Sequence, residues 1–472
     1  MSNPCSREGQ SDVKQRSSGQ TKLHPASKCH LQSAMVKPKD LISPLNELKA
    51  FFFGCDDYQS CFAECRHLVY QSLLTPLLKS FSSKQKSPIV VQKPGEAIAA
   101  EASIPKLRDD YILVNTKAVA LNPTDWKHIE WLTSNGARIG CDYAGVVEEV
   151  GSAVTKDFKK GDRVCGFCHG GNEVNHEDGA FGNYITLKGD AQIKIPDNLS
   201  FEQASTLGVG ITTVGQGLYQ SLKLPLPTNP SPTKFPVLIY GGSTATGALA
   251  IQFAKLSGLQ VITTCSPRNF AYVESLGADK AFDYNSPTCS QDIKEYTKDS
   301  IKHAFDCVSE ASSPQITVSA ISSAGGVYST LLPVSTEDVH KINEKVENKA
   351  TLGYTAVGEF FKFGPADFPA KPEDFEFAKK FWEISKGLLA ERKVKVHNIA
   401  VNKYGEGFEG ILNGLQAMKE DQNNAQYQVE KQNRKALFHM CIIFHMICFL
   451  KYTQDGLDHL ISSDSITQRK EN

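Results

Sequence analysis

The chain has 472 residues, long enough for more than one domain with a buried core. Hydrophobic residues make up 40% of it and charged residues 22%, which is ordinary for a globular protein and excludes a fibrous or wholly disordered chain. The formal net charge of −1 provides no overall field for nucleic acid or an anionic membrane, so we expect neither as a partner.

Residues 1–85 form a first segment rich in Ser, Lys and Gln. It shows no sustained helix or strand period, so we expect it to be poorly ordered. Residues 1–30 hold no apolar run typical of a signal peptide. The 13 cysteines follow no regular framework, which indicates reduced thiols and a cytoplasmic protein.

Residues 86–217 predict a β-rich domain. Short β-branched runs are separated there by Gly, Pro and Asp, as in a compact all-β unit. The clearest runs are Ile112–Val119, Tyr143–Val150 and Gly161–Val164.

Residues 218–350 alternate strand and helix signals after a proline-rich linker, Leu224–Pro236, in which helix is barred. A helical pattern lies at Ala248–Leu256. The runs that predict strands are Val237–Tyr240, Val261–Thr264, Ala304–Val308 and Gly326–Leu331. This alternation is typical of a doubly wound parallel sheet, so the predicted fold class is α/β with a separate β-rich domain.

Residues 351–419 include an amphipathic helix near Phe375–Glu391, and we expect them to return to the β-rich domain. Residues 420–472 form an atypical tail. Its apolar stretch, Ala436–Leu450, is shorter than the roughly 20 residues of a membrane-spanning helix and is interrupted by histidines. We therefore expect no membrane segment.

The strand Val237–Tyr240 runs into a glycine-rich turn, Gly241–Gly247, and then into a helix. Such a unit directs backbone N–H groups and the helix dipole at a pyrophosphate. The pattern is imperfect, because Ala245 or Thr246 stands where a dinucleotide fold usually has another glycine. The alternative is a tight turn without a ligand, but the flanking strand and helix favour a dinucleotide site.

The end of the next strand indicates which nucleotide binds. An NAD site places Asp or Glu there to bind the ribose hydroxyl, and Val261–Asn269 has no carboxylate. Ser266 offers a hydroxyl and Arg268 a forked cation, both suited to a phosphate. The alternative for Arg268 is a solvated surface residue. We therefore expect NADP(H) rather than NAD.

Six motifs together carry a family resemblance. Asn122–Lys127 (NPTDWK), Gly140–Val146 (GCDYAGV) and Gly161–Val164 (GDRV) follow the order found in the medium-chain dehydrogenase/reductase superfamily. Tyr240–Gly247 (YGGSTATG), Cys265–Phe270 (CSPRNF) and Phe282–Tyr284 (FDY) resemble, more narrowly, the fungal trans-acting enoyl reductases of polyketide biosynthesis, of the lovastatin type. The resemblance runs from about Ser87 to Lys419.

This resemblance implies a GroES-like catalytic domain, a Rossmann NADP-binding domain and a monomer that works without zinc. The implied reaction is hydride transfer from NADPH to the double bond of an α,β-unsaturated polyketide thioester, carried on an acyl carrier domain of a polyketide synthase. The implied cofactor-binding residues are Thr124, Asp125, Trp126, Lys127, Ser243, Thr244, Ala245, Thr246, Ser266, Pro267, Arg268, Asn269, Tyr284, Leu331 and Leu332. The implied substrate-binding residues are Gly208, Val209, Gly210, Ile211, Thr212, Thr213, Thr355, Ala356, Val357, Gly358 and Glu359.

Lys127 and Asp125 are the candidate catalytic residues. Reduction of an enoyl thioester places negative charge on the thioester oxygen, and Lys127 is our first choice for a cation that acts on it or fixes the cofactor. The alternative for Lys127 is a surface lysine at a helix start. Asp125 follows Pro123, and its alternative role is an early-helix acid favoured by the helix dipole.

We expect no metal site. Catalytic zinc needs three protein ligands, and the position where zinc-dependent relatives carry a His–Glu pair is Cys141–Asp142 here. Cys165 and Cys168 form a CxxC pair beside His169, but no second pair follows at suitable spacing.

The family pattern is lost abruptly after Lys419. In place of the closing strand of the family stands EDQNNAQYQVEKQ and a tail, so we expect an open sheet edge. We interpret one or both ends as translated non-coding sequence or an altered gene boundary. Two other functions stay open: a stand-alone quinone or alkenal reductase for small molecules, and a non-catalytic NADPH-binding protein that docks on a synthase.

Overall fold

The computed structural model describes residues 84–420 and 427–431, and the side chains of residues 88–420. The predictions for residues 1–83 and 432–472 lie outside the described residues. Within the described part, the chain forms one mainly antiparallel sheet, one parallel sheet and two small hairpins.

The β-rich part begins with a hairpin of β1 (Lys84–Lys93) and β2 (Glu96–Ser103). The strands of the larger sheet that follow are β3 (Tyr111–Leu121), β4 (Asp142–Val150), β5 (Arg163–Phe167), β6 (Tyr184–Lys188) and β7 (Gln192–Lys194). Three short helices lie among them or follow them: α1 (Pro123–Lys127), α2 (Phe201–Ala204) and α3 (Gly208–Val214). β3 is the central strand and is buried on both faces, because its apolar residues form an almost continuous run.

The second part is a six-stranded parallel sheet. Its strands are β8 (Pro236–Tyr240), β9 (Gln260–Thr264), β10 (Lys280–Phe282), β11 (His303–Asp306), β12 (Gly326–Thr330) and β13 (Val346–Ala350). Its helices are α4 (Ala245–Leu256), α5 (Phe270–Ser275), α6 (Cys289–Thr297), α7 (Ser313–Ala320) and α8 (Thr336–Ile342). The strand order is β10-β9-β8-β11-β12-β13, so the chain reverses direction across the sheet between β8 and β11. Ligands of such sheets bind outside the carboxyl ends of the strands at this switch point.

The chain then returns to the β-rich part. The returning elements are β14 (Phe361–Phe363), β15 (Ala366–Phe368), α9 (Pro372–Ala390), β16 (Ile399–Val401), α10 (Gly407–Glu420) and β17 (Tyr427–Lys431). The predicted amphipathic helix is confirmed as α9, whose buried face includes Phe381 and Trp382. No helix of the described residues combines the length and the apolar character of a membrane span.

The expectation of an open sheet edge is wrong. β17 pairs antiparallel with β3, from Gln428 opposite Leu121 to Lys431 opposite Ala118, and parallel with β16. Strand order in the larger sheet is therefore β16-β17-β3-β4-β5-β7, and β6 pairs with residues 111–115 of β3, along the same edge as β17. Residues Tyr427–Lys431 (YQVEK) alternate as a strand does, and this short pattern was hidden by the polar residues around it.

The predicted fold class is confirmed, since both sheet types occur where the sequence predicts them. The predicted strands of the α/β part correspond to β8, β9, β11 and β12, and the helical pattern corresponds to α4. The exact domain boundaries stay a prediction. Separate apolar clusters fill the β-rich part around Ile112 and Phe181 and the parallel sheet around Ile239 and Phe253.

Candidate active site

The glycine-rich turn lies between β8 and α4, at the carboxyl edge of the parallel sheet. Gly241 has a φ of +77°, which favours glycine, and a Cβ on Gly247 would lie 2.2 Å from the carbonyl oxygen of Gly241. Thr244 caps α4, because its hydroxyl accepts a hydrogen bond from the Gly247 amide at 3.0 Å. The other first-turn amides have no carbonyl partner within the helix, so this turn fits an anionic pyrophosphate.

The turn after β9 brings two predicted cofactor residues together. The Ser266 hydroxyl lies 3.0 Å from the hydroxyl of Tyr284, which follows β10. Pro267–Asn269 form one turn of 3-10 helix, on which Arg268 is exposed. Leu331 and Leu332 follow β12, at the same edge of the sheet. The predicted residues of the parallel-sheet part therefore share one edge, together with the half-buried Ser243, Thr244, Ala245 and Thr246 of the glycine-rich turn.

Helix α1 leaves Thr124 and Lys127 partly exposed and buries Asp125 and Trp126. The Asp125 side chain is 1% exposed, and its Oδ2 accepts a hydrogen bond from the Asn122 amide at 2.7 Å. This contact is one half of a capping box at the helix start. Burial raises the pKa of the Asp125 carboxyl well above its ordinary value. The geometry therefore favours the early-helix role of Asp125, and its catalytic role stays a prediction.

The Lys127 side chain extends from α1 to the parallel-sheet part of the chain. Its Nζ lies 2.6 Å from Oε1 of Glu310, in the loop after β11, and 5.6 Å from the ring of Trp126. The Lys127 side chain is 19% exposed and that of Glu310 is 53% exposed. The indole of Trp126 is buried, and the exposed ring of Trp131 meets it edge-on at 5.5 Å. The Lys127–Glu310 ion pair thus joins α1 to the carboxyl edge of the parallel sheet.

Thr124 lies on α1 one turn before Lys127 and belongs to a hydroxyl pair. Its Oγ1 lies 2.7 Å from the hydroxyl oxygen of Tyr354. The backbone carbonyl of Thr124 accepts a hydrogen bond from Nδ1 of His128 at 2.7 Å, because a carbonyl oxygen can only accept. This bond fixes the His128 tautomer with its proton on Nδ1, and burial lowers the pKa of His128 to about 4.

Tyr354 is buried in a group of aromatic rings. The ring of His169 stacks on it at 4.3 Å between centroids, and the ring of Phe361 lies at 5.9 Å. Sγ of Cys141 lies 3.8 Å from the tyrosine hydroxyl. Burial lowers the pKa of His169 well below its ordinary value and raises that of Tyr354 well above it, so both groups are neutral near pH 7.

The predicted substrate residues lie in two segments that pack around this hydroxyl pair. Gly208–Thr213 belong to α3, where the Val209 amide donates to Oδ1 of Asp142 at 2.6 Å and the Thr212 hydroxyl accepts from the Trp382 indole at 3.2 Å. Thr355, Ala356 and Val357 are buried beside Tyr354. The hydroxyls of Thr212 and Thr355 are both used inside the protein, the second by Gln216 at 2.9 Å.

Glu359 anchors the second of these segments. Both of its carboxylate oxygens lie 3.0 Å from the hydroxyl of Tyr111, and Oε1 lies 2.8 Å from Nζ of Lys188. The guanidinium of Arg108 lies 3.6 Å from Oε2 and stacks on the Tyr111 ring. This network fixes the residues that follow Tyr354 to β3 and β6, which gives Glu359 a structural task besides the predicted one.

Comparison with known proteins decides the family. Residues 108–197 match the model described as the alcohol dehydrogenase GroES-like domain, and residues 245–366 match the one described as zinc-binding dehydrogenase. The trans-enoyl reductase TOXD of Cochliobolus carbonum is 54% identical over 294 residues, 62% of this chain and 97% of that protein. The trans-enoyl reductase ACTTS2 of Alternaria alternata is 47% identical over 332 residues, 70% of this chain and 94% of that protein. The chain belongs to the trans-enoyl reductases.

Solved structures agree with this reductase in fold. The CurK enoyl reductase has a TM-score of 0.59 at 17% identity, covering 74% of the reductase and 99% of the CurK chain. The quinone oxidoreductase of Coxiella burnetii has a TM-score of 0.55 at 21% identity, covering 74% and 100%. The two matching family models assign the antiparallel and parallel sheets to the medium-chain dehydrogenase/reductase superfamily, and these structures share the fold. A nicotinamide cofactor goes with this family, and the turn at Gly241–Gly247 fits its pyrophosphate.

The six cysteines within residues 88–420 form no cluster there with other metal-binding side chains. Among residues 88–420, no three His, Cys, Asp or Glu side chains group closely enough to hold a metal ion. Cys165 and Cys168 are buried thiols whose pKa values burial raises. Burial also raises the pKa of the Cys141 thiol, which faces the Tyr354 hydroxyl.

Two residues of the reductase site were not predicted from its sequence. Glu310 is one of many acids and follows an ordinary strand, so nothing nearby in sequence pairs it with Lys127. Tyr354 lies 230 residues from Thr124 in sequence. The one available signal was its position next to the predicted Thr355–Glu359 segment.

Proposed function

We propose that this protein is a trans-acting enoyl reductase, which transfers hydride from NADPH to the double bond of a carrier-bound α,β-unsaturated polyketide thioester. One combination carries the proposal: the sequence is that of a trans-enoyl reductase, and its Lys127 is partly exposed at the switch point. We call the space outside the carboxyl ends of β8 and β11 the crevice. The proposed partner is a polyketide synthase that presents the thioester on its acyl carrier domain. The proposed location is the cytoplasm, and the proposed state is a monomer.

The preference for NADPH over NADH rests on the turn after β9. The hydroxyls of Ser266 and Tyr284 lie together, and Arg268 is exposed beside them, as a phosphate group requires. The acid next to Tyr284 in sequence is Asp283, and its Oδ1 accepts hydrogen bonds from the backbone and side-chain amides of Asn285, each at 3.0 Å. The Asp283 Oδ1 is therefore already engaged within its own turn.

Residues of the glycine-rich turn would hold the pyrophosphate, and Lys127 would act near the reacting end of the cofactor. When bound, the nicotinamide supplies the hydride. The Lys127 ammonium then offers a positive charge where the thioester oxygen becomes negative, or fixes the cofactor for the same step. The Thr124 hydroxyl, held by Tyr354, is a second hydrogen-bond donor on the same helix. The α3 segment and Thr355–Glu359 are proposed to border the acyl chain.

The direct test is NADPH oxidation by the purified full chain. Crotonyl thioesters of pantetheine and of an isolated acyl carrier domain would be offered in parallel, with NADH as the alternative reductant. We expect turnover with NADPH, higher on the carrier-bound thioester, and a loss of at least about 100-fold in kcat/KM for Lys127→Ala, the size of a missing electrostatic group.

Small enones and quinones in the same assay separate the competing functions. Good turnover of free enones without turnover of the carrier-bound thioester would favour a stand-alone reductase. NADPH binding without any turnover would contradict the enzymatic proposal and favour a binding protein.

A further inference from the structure

Glu310 lies in the loop between β11 and α7, beside the switch point of the parallel sheet. The loop packs against the glycine-rich turn, where a Cβ on Gly241 would lie only 2.9 Å from Cγ2 of Val308. A dinucleotide that follows the glycine-rich turn therefore passes close to this loop. The position of the Glu310 carboxylate matters for whatever binds there.

The backbone on both sides of Glu310 is strained. Ser309 has a φ of 60° and Ala311 a φ of 52°, and neither is a glycine. The left-handed region costs an L-residue about 1 kcal/mol or more, and a β-carbon is crowded there. Two such residues in three positions persist only where the surroundings impose the conformation.

Asp306, at the end of β11, holds the start of this loop in its strained conformation. Its Oδ1 accepts hydrogen bonds from the amides of Val308 and Ser309, each at 2.9 Å. Its Oδ2 accepts from the hydroxyls of Ser313 at 2.7 Å and Tyr328 at 2.8 Å. The buried Asp306 carboxylate is thus fully used in tying the loop to α7 and to β12.

Two further hydrogen bonds hold the loop at Glu310 itself. The Glu310 amide donates to the Ser313 hydroxyl at 3.1 Å, and the Leu331 amide donates to the Ser309 hydroxyl at 2.9 Å. The Glu310 backbone is therefore fixed from both sides. Lys127, in contrast, has a long flexible stem, so its ammonium goes where the carboxylate is.

We infer that Glu310 is a positioning residue for Lys127. The fixed loop holds the Glu310 carboxylate at one place on the crevice, and the 2.6 Å ion pair keeps the Lys127 ammonium over the crevice before the cofactor arrives. This reduces the conformational freedom that Lys127 would otherwise lose on binding. The inference rests on the proposed function only in that Lys127 serves the nicotinamide cofactor.

A double-mutant cycle on NADPH binding tests this, and it needs no turnover. Dissociation constants would be measured by nucleotide fluorescence for the wild type, Glu310→Ala, Lys127→Ala and the double variant. We expect Glu310→Ala to weaken binding about threefold to fivefold, the upper range for a half-exposed ion pair. The double variant should bind like Lys127→Ala, because Glu310 acts only through that lysine.

Two more variants sharpen the result. Glu310→Asp is one methylene shorter on a fixed backbone, so it should bind NADPH as weakly as Glu310→Ala. Glu347→Ala is the matched control: Glu347 is 60% exposed and pairs with Lys349 at 3.0 Å on β13. The NADPH affinity and the melting temperature of Glu347→Ala should equal those of the wild type. The inference would be overturned if the double variant lost NADPH affinity by the product of the two single losses. It would also be overturned if Glu310→Ala lost no affinity.

Acetylation of the cofactor-free protein tests the Lys127–Glu310 ion pair without a measurement of NADPH binding. Mass spectrometry after limited acetic anhydride should show Lys127 modified several times faster in Glu310→Ala than in the wild type, because the Glu310 carboxylate at 2.6 Å no longer covers and restrains the Lys127 amine. Equal rates would overturn the inference. If the binding cycle and the acetylation behave as expected but enoyl thioesters are not reduced, the proposed reaction fails while the role of Glu310 stands.

Discussion

The hydroxyls of Tyr354 and Thr124 lie 2.7 Å apart, although 230 residues separate them in sequence. The ring of Tyr354 is buried against the rings of His169 and Phe361, which also contact each other, whereas Thr124 is partly exposed on the helix that carries Lys127. The buried tyrosine therefore sets the orientation of a hydroxyl that borders the crevice. We therefore expect Tyr354, a core residue, to affect the proposed reaction through its contact with Thr124 on α1.

Tyr354→Phe should weaken the reductase by freeing Thr124. We expect kcat to fall about fivefold, the size of one lost hydrogen bond of about 1 kcal/mol, and the free energy of unfolding to fall by about 1 kcal/mol. Steady-state assays and urea unfolding would measure both. Tyr296→Phe is the control, because Tyr296 is 45% exposed on α6, and it should change neither value. Unchanged kcat in Tyr354→Phe would refute the role of the hydroxyl pair.

Gly247→Ala should weaken NADPH binding. The new Cβ would lie 2.2 Å from the Gly241 carbonyl oxygen, a backbone atom that cannot move without opening the glycine-rich turn. We expect the dissociation constant to rise at least about tenfold, since the turn amides must converge on the pyrophosphate. Fluorescence titration with NADPH would measure it.

Gly387→Ala is the matched control for that substitution. Gly387 lies inside α9, is exposed, and has no atom within 4 Å of an added Cβ. Alanine there should raise the free energy of unfolding by about 0.5 to 1 kcal/mol and leave NADPH binding unchanged. If Gly247→Ala bound NADPH as tightly as this control, the glycine-rich turn would not be the cofactor site.

Local patterns were enough to predict the strand–turn–helix unit around Gly241 and Gly247, because every feature of it lies within one short stretch. The alternation of strands and helices likewise predicts the parallel sheet. A local motif likewise indicated Lys127, but no local pattern indicated Glu310, its ion-pair partner. Glu310 meets it only because Asp306 holds a strained loop, and that arrangement has no sequence period.

Pairing between distant strands was the other part that local patterns could not predict. Tyr427–Lys431 is five residues long and is surrounded by polar residues, so it gave little signal by itself. It is a strand because β3 offers it an edge. For Asp125 the early-helix alternative was visible in the sequence, but the two observations that favour it, its burial and its hydrogen bond to the Asn122 amide, were not.

Arg268→Ala should reduce the preference for NADPH. The guanidinium offers a bidentate contact to a phosphate, which NADH lacks. We expect kcat/KM for NADPH to fall at least about tenfold, as for a charge-assisted contact of about 1.5 to 3 kcal/mol, and kcat/KM for NADH to stay the same. Arg392→Ala removes another exposed arginine, beyond the end of α9, and should change neither value. Equal losses with both nucleotides would show that Arg268 does not read the phosphate.

His128 should make the reductase less stable in acid. Burial holds its folded-state pKa at about 4, below the ordinary value of 6.5. Between these values the unfolded chain binds a proton at His128 and the folded chain does not. Stability contributed by the neutral ring is therefore present above pH 6.5 and is lost as the pH falls towards 4. Asp142 and Asp178 act in the opposite direction, since burial raises the pKa of each to about 7, so the wild-type profile alone does not isolate His128.

His128→Asn isolates it by difference. The Asn side-chain amide keeps a donor near the position of Nδ1 for the Thr124 carbonyl, but it has no titration in this range. We expect the wild type to lose stability relative to the variant by about 2 to 3 kcal/mol between pH 6.5 and pH 4.5, following the free energy of a shifted pKa. Urea unfolding of both proteins across this range would measure the difference. A gap between the two that does not change with pH would mean that His128 becomes charged in the folded protein, against the buried neutral ring described here.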